Sequence, residues 1–168
     1  MKPWTLMCLA GAAFLGACSS DNTSGSANGA GGTTTTNASG YGAGGAGHGT
    51  PGSEEDLVQS AGDRIFFDTD RSTVSAQAQA TLDRQASWLQ QYAQVNVWVA
   101  GNCDERGTEE YNLALGQRRA SADRDYLVAH GINQGRIETI SYGKSRPIDP
   151  ASTPEAWAQN RNAITSVK

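Results

Sequence analysis

Two histidines in 168 residues leave no room for a His-rich metal centre. The three cysteines, Cys8, Cys18 and Cys103, show neither zinc-ligand spacing nor a disulfide framework. No Gly-rich phosphate loop and no serine elbow occurs. The 13 Lys and Arg, set against 17 Asp and Glu for a net charge of -4, form no basic stripe interleaved with aromatics. That pattern excludes nucleic acid as a partner. The only sustained apolar run, residues 4–14, is too short to span a bilayer. No cofactor is expected.

What the N-terminal part does contain is a sorting signal. Lys2 and the apolar run lead into Leu15-Gly16-Ala17-Cys18, a lipobox in which small residues precede a Cys to be acylated. Residues 1–17 therefore read as a lipoprotein signal peptide, with Cys18 as the lipidation site. An ordinary cleaved signal with an incidental Cys is the plainer alternative. Several acyl chains on Cys18 would anchor the chain stably, where one chain holds only marginally. Cys8 leaves with the signal and Cys18 is acylated, so Cys103 stands alone and no intramolecular disulfide forms.

Residues 18–53 read as a flexible linker. More than half of the 20 Gly lie here, among Ser, Thr, Asn and Ala, with no charge between Asp21 and Glu54. Such a stretch buries too little apolar surface to offset its ordering entropy. As a coil of about 34 residues it has an r.m.s. span of roughly 30–35 Å. Fully stretched it reaches on the order of 110–120 Å.

The folded domain is expected over residues 54–168. Arg64-Ile65-Phe66-Phe67-Asp68 reads as a strand. Residues 75–92 place Ala78, Leu82, Ala86 and Leu89 on one helical face, with Ser75 as cap. Val alternates with other residues over 95–99, which predicts a second strand. A long helix follows, carrying Asn112, Leu115, Arg119, Ala122 and Tyr126 at three- and four-residue spacing, and Gly131 is placed to end it. Residues 136–142 predict a third strand. Thr153-Pro154-Glu155 opens a short helix with Pro at its first position, and residues 162–167 close as a fourth strand. Alternating strands and helices make this α+β, a two-layer α/β sandwich.

The stretch that carries function is residues 95–120. Between strand and helix lies Gly101-Asn102-Cys103-Asp104-Glu105-Arg106-Gly107-Thr108, dense in charge and turn residues. Asp104 sits at the mouth of that loop and Arg119 inside the helix it feeds. An anion and a cation facing one gap suit a ligand bearing both charges, such as an amino-acid head group, with Arg forking the carboxylate.

The run Cys103 to Asn112, then Gly116-Gln117-Arg118-Arg119-Ala120, Ile140-Ser141-Tyr142-Gly143-Lys144 and Asn160-Arg161, resembles the OmpA-like peptidoglycan-binding domain family. Within it the resemblance is strongest to the peptidoglycan-associated lipoproteins of Gram-negative bacteria, over roughly the last two-thirds of the chain. That resemblance implies a βαβαβ(α)β domain with a mixed four-stranded sheet and helices on one face. It also implies a non-catalytic protein that binds the diaminopimelate of the peptidoglycan stem peptide. Asp104 would accept the ligand ammonium, Arg119 would grip the carboxylate of the same carbon, and the backbone amide of Asp70 would assist. Asn112 would brace the loop and Leu115 floor the pocket. Ser19 after the acylated Cys implies the outer membrane, lipid-anchored and facing the periplasm. TolB and other proteins of the Tol–Pal system for envelope integrity and cell division are the implied protein partners.

Each site residue also has a plain structural reading: Asp104 as a helix cap, Arg119 in a surface salt bridge, Asp70 in a turn, Leu115 in the core. Glu105 and Arg106 read as loop structure or partner contacts. The chain departs from the family pattern at Thr69 (usually aromatic), at Asn102 (usually His) and at Asn162 (usually Arg). These changes would loosen the pocket wall and remove a structural ion pair. A degenerate domain acting only through protein partners is the reading that follows if they empty the site. The rival class is a thiol peptidoglycan hydrolase using Cys103 and His130. A motility-stator or porin-linked version of the domain would need an N-terminal transmembrane helix or β-barrel where this chain has a lipobox.

Overall fold

A computed structural model describes residues 49–168. Cys18, the signal peptide and most of the expected linker lie outside the described residues. The elements run α1 (Glu54–Ser60), β1 (Arg64–Phe66), α2 (Ala76–Gln91), β2 (Val97–Asn102), α3 (Glu109–Ala129), β3 (Ile137–Gly143), α4 (Pro154–Asn160) and β4 (Asn162–Val167), with a 3-10 turn at Gln134–Arg136 before β3. The sheet order is β1-β4-β2-β3. β4 pairs antiparallel with both β1 and β2, whereas β2 and β3 run parallel. This is the mixed four-stranded α+β sheet expected.

Sequence signals explain most boundaries. Ser75, Thr108 and Thr153 each cap a helix by accepting from the backbone N–H three residues on. At the far end of α3, Gly131 takes φ 92° and the Ile132 N–H returns to the Leu127 carbonyl, which stops the helix. The short α1 was not expected. Ser53 caps it, and the Asp56 carboxylate accepts from the Trp88 indole at 3.0 Å, tying it to α2.

One face of the sheet buries Ile65, Val97, Val99, Ile137 and Ala163 against Leu57, Leu82, Leu89 and Leu127 of the helices. The opposite face leaves Phe66, Trp98 and Ile140 exposed, the period-2 alternation of a one-sided sheet. The inner stripe of α3 is Asn112, Leu115, Gly116, Arg119, Ala120, Asp123 and Leu127. Ala122 and Tyr126, expected on that face, flank it half-buried. The helix is pressed hard onto the sheet where glycine meets glycine. A methyl on Gly101 would overlap the Gly116 carbonyl, and one on Gly116 would overlap the Ser141 hydroxyl. This approach sets α3, and Arg119 on it, directly beneath the exit of β2.

Candidate functional site

Two loops meet at one end of the sheet. The first leaves β1, where the Arg71 N–H returns to the Asp68 carbonyl at 3.2 Å and Asp70 adopts φ 56°. A left-handed backbone at a non-Gly residue is uncommon, and Asp is among the residues that tolerate it. The second loop leaves β2 through Cys103 and Asp104 and ends at the cap Thr108, so Asp104 is not the helix cap. Asn112 braces this second loop from inside α3, donating to the carbonyls of Arg106 at 2.7 Å and Thr108 at 3.0 Å. Lys144 secures its outer side through the Gly107 carbonyl at 2.8 Å.

Between the loops lies a cavity of about 350 Å³ lined by Thr69, Asp70, Asp104, Arg106, Gly107 and Tyr111. Of the residues named from sequence, Asp70 and Asp104 line it. Tyr111 donates to Asp70 Oδ1 at 3.3 Å across the gap. Asn112, Leu115 and Arg119 are buried and do not line it.

Asp104 is the charged centre. Its carboxylate accepts from the Arg106 guanidinium at 2.6 and 3.1 Å, from the Arg106 N–H at 3.2 Å and from Arg161 at 3.4 Å. Burial acts to raise its pKa, but the Arg106 side-chain and backbone hydrogen bonds, Arg106's charge and then Arg161 outweigh it and hold the carboxyl below the usual range. Arg106 stacks over Trp157 at 4.4 Å. The Trp157 indole in turn donates to Glu105 at 2.9 Å, and Ser152 donates to the same carboxylate at 3.0 Å. Glu105 therefore holds the loop, as its plain reading had it, whereas Arg106 is the cation in the cavity.

Arg119 makes no ion pair with Asp104 and is no surface salt bridge: none of its surface is exposed. Its N–H groups reach the carbonyls of Asn102 at 2.7 Å, Arg71 at 2.9 Å and Asp68 at 3.1 Å, and the Cys103 sulfur at 3.4 Å. Four of the five guanidinium N–H donors are thereby engaged. Arg119 pins the β1 loop to the β2 loop. Burial lowers its pKa from a value so high that the group stays charged.

Two of the departures from the family pattern meet. Asn102 Nδ2 donates to Asn162 Oδ1 at 2.8 Å, with both side chains buried. An amide pair spans β2 and β4 there, and Asp104 still receives a charged partner from Arg161.

The thiol reading fails on distance. Cys103 Sγ lies against the Asn112 carbonyl and Arg119. His130 caps the other end of α3, at least three turns or about 16 Å further along its axis. Burial pushes the Cys103 thiol up, away from the reactive thiolate. Among the described residues no group of three or more His, Cys, Asp and Glu is placed to hold a metal ion.

The OmpA family model matches residues 66–161, which contain both loops, α3 and the cavity. The chain belongs to the OmpA family. A peptidoglycan-associated lipoprotein of Mesorhizobium japonicum is 54% identical over 134 residues, covering 80% of each chain. One of Haemophilus influenzae is 36% identical over 160 residues, 95% of this chain and 94% of the relative. The crystal structure of the peptidoglycan-associated lipoprotein from Burkholderia pseudomallei superposes with a TM-score of 0.62 at 40% identity, over 63% of this chain and 90% of that one. Within the OmpA family this chain stands with the peptidoglycan-associated lipoproteins.

Arg106, Gly107 and Tyr111 are the cavity residues that sequence reasoning did not place in the site, while Thr69, read as a departure in the pocket wall, does line it. For Arg106 the available signal was its position two residues after Asp104, where a guanidinium folds back on a carboxylate.

Proposed function

We propose that this protein is an outer-membrane lipoprotein that binds peptidoglycan non-covalently and tethers the membrane to the wall. In this reading Cys18 carries the lipid and residues 19–53 span the gap. The domain from residue 54 onward holds the diaminopimelate end of a stem peptide and performs no chemistry on it. The observation that carries the reading is the cavity itself. It places an ionised Asp104 and the exposed cation Arg106 on one wall, opposite the turn of Asp70.

A zwitterionic carbon fits that arrangement. Its ammonium replaces Arg106 as partner of Asp104, and the guanidinium so released meets the carboxylate as a planar fork. The left-handed turn of Asp70 offers its backbone amide to the same carboxylate. Arg119 contributes positive charge from behind the wall and holds the loops at the spacing the ligand needs. Its direct grip on the ligand requires it to release a carbonyl. Asn112 and Leu115 support the wall rather than touch solvent.

Kinship with the peptidoglycan-associated lipoproteins supports placement in the Tol–Pal envelope system, with TolB as protein partner, on the periplasmic side of the outer membrane. Replacing Asp104 by Asn keeps the shape and removes the charge. The variant should lose cosedimentation with peptidoglycan while melting as a folded protein. Undiminished cosedimentation would remove Asp104 from the site.

A further inference from the structure

We infer that the buried amide pair Asn102–Asn162 is a positioning device for the cavity, fixing the carbonyl on which Arg119 rests and so the spacing of the two loops, without touching a ligand. The inference rests on the binding reading above for its effect on affinity, and on geometry alone for its effect on Arg119.

The bonds form one line. Asn162 Nδ2 donates to the Gln159 carbonyl at the end of α4 at 2.7 Å. Asn102 Nδ2 donates to Asn162 Oδ1 at 2.8 Å and to the Ala100 carbonyl at 3.3 Å. The backbone carbonyl of Asn102 then takes the Arg119 Nη1–H at 2.7 Å, and the same guanidinium reaches Asp68 and Arg71 in the other loop. Asn102 is also where the β2–β3 register shifts, between Gly101 and Asn102. A register shift re-aims the residue that bears it, so a side-chain anchor there decides where its carbonyl points.

The sequence neighbours of the pair belong to the site as well. Arg161, beside Asn162, donates to Asp104 and to the Phe67 carbonyl at 3.1 Å. Asn102 is followed by Cys103 and Asp104. Both amides are buried, at 3% and 0% exposure, and neither is part of the apolar core cluster. A charged side chain in either place would need a counter-charge, and Arg119 is already engaged. Apolar replacements would fill the volume and leave the Asn102 anchor unmade.

The test is Asn162→Ala in the full chain, since this side chain touches neither the cavity nor Arg119. NMR of the arginine side chains should show the Arg119 Nη protons in slow exchange in the wild type. They should be shifted and in faster exchange in the variant. Affinity for a diaminopimelate-containing stem peptide should fall about tenfold, the worth of one net hydrogen bond. Adding Asn102→Ala should cost little more, because both changes break the same link. A lower melting temperature with unchanged Arg119 signals and affinity would overturn the inference, as would full additivity.

If the variant does not fold, the wild type decides. The Nδ2 protons of Asn102 and Asn162 must exchange far more slowly than those of the exposed Asn133, and equal rates would overturn the pairing. If the wild type binds no stem peptide, the binding reading fails. The Arg119 signals then decide the positioning role by themselves.

Discussion

Arg119 and Asp123 lie one turn apart on the buried stripe of α3, and neither exposes any surface. Their surroundings are opposite. Arg119 has three carbonyls and a sulfur to donate to, whereas neither carboxyl oxygen of Asp123 has a hydrogen-bond partner. Burial alone pushes the Asp123 pKa up to about 7, with no charge acting on it. The difference separates a buried charge that organises structure from one that strains it. At the site end of α3 the polar groups are satisfied by loops that carry the cavity. One turn further along, the Asp123 carboxyl is buried without a polar partner, and there it is a cost.

Removing the satisfied charge should do the most damage. Arg119→Met leaves the carbonyls of Asp68, Arg71 and Asn102 without their donor in a buried setting. We expect a loss of about 3 kcal/mol or more in urea unfolding, together with separation of the two loops. A stability near wild type would show that the loops are held by something else.

The unsatisfied charge should behave the other way. Asp123→Leu is expected to stabilise by about 1–3 kcal/mol at pH 8, because an apolar group replaces a buried carboxyl. The sign of its pH dependence follows from linkage. A carboxyl whose folded pKa is raised favours folding below its unfolded pKa near 4. That contribution is lost progressively as pH rises to about 7 and is flat above. Melting temperature measured from pH 4 to 8 should fall in the wild type and lose that slope in the variant. A wild-type profile already flat over this window would mean that Asp123 finds a partner in solution.

The smallest effect on stability belongs to Arg106, whose side chain is 43% exposed. An exposed ion pair adds little, so Arg106→Ala should melt close to wild type. What it should change is the acid limb. Asp104 has a lowered folded pKa, so its contribution is present above the usual Asp pKa and is lost as pH falls through the folded value. Without Arg106 that loss should begin at higher pH, which NMR titration of the Asp104 carboxyl measures. An unmoved titration would assign the lowering to Arg161.

The contrast also marks what could be read from the chain beforehand. Helix caps at Ser75 and Thr153 and the stop at Gly131 are local signals, and their helices begin and end there. By contrast, α3 is capped by Thr108 rather than Asp104, and the Val95–Val99 alternation yields a strand that begins only at Val97. The β2 strand runs on to Asn102 because pairing with β3 and β4 carries it past the Val residues. The helix α1 spans seven residues, too short for a periodicity to show. The strand order depends on pairing between distant segments and leaves no trace in a local window. At the site, Asp70 and Asp104 reach the cavity wall because each lies in a loop at a strand exit. Arg106 was read only as loop structure or a partner contact because the Trp157 ring it stacks on lies some fifty residues on in the chain. The pairing of Asn102 with Asn162 was hidden for the same reason. Two departures that each read as a loss compensate one another only once β2 and β4 lie side by side.

The most direct test of the account is calorimetric titration with a stem peptide containing diaminopimelate, beside the same peptide with lysine, which lacks the second carboxylate. A cavity that reads both charges of one carbon predicts binding to the first and none to the second. Equal binding to both peptides, or binding to neither, would contradict it.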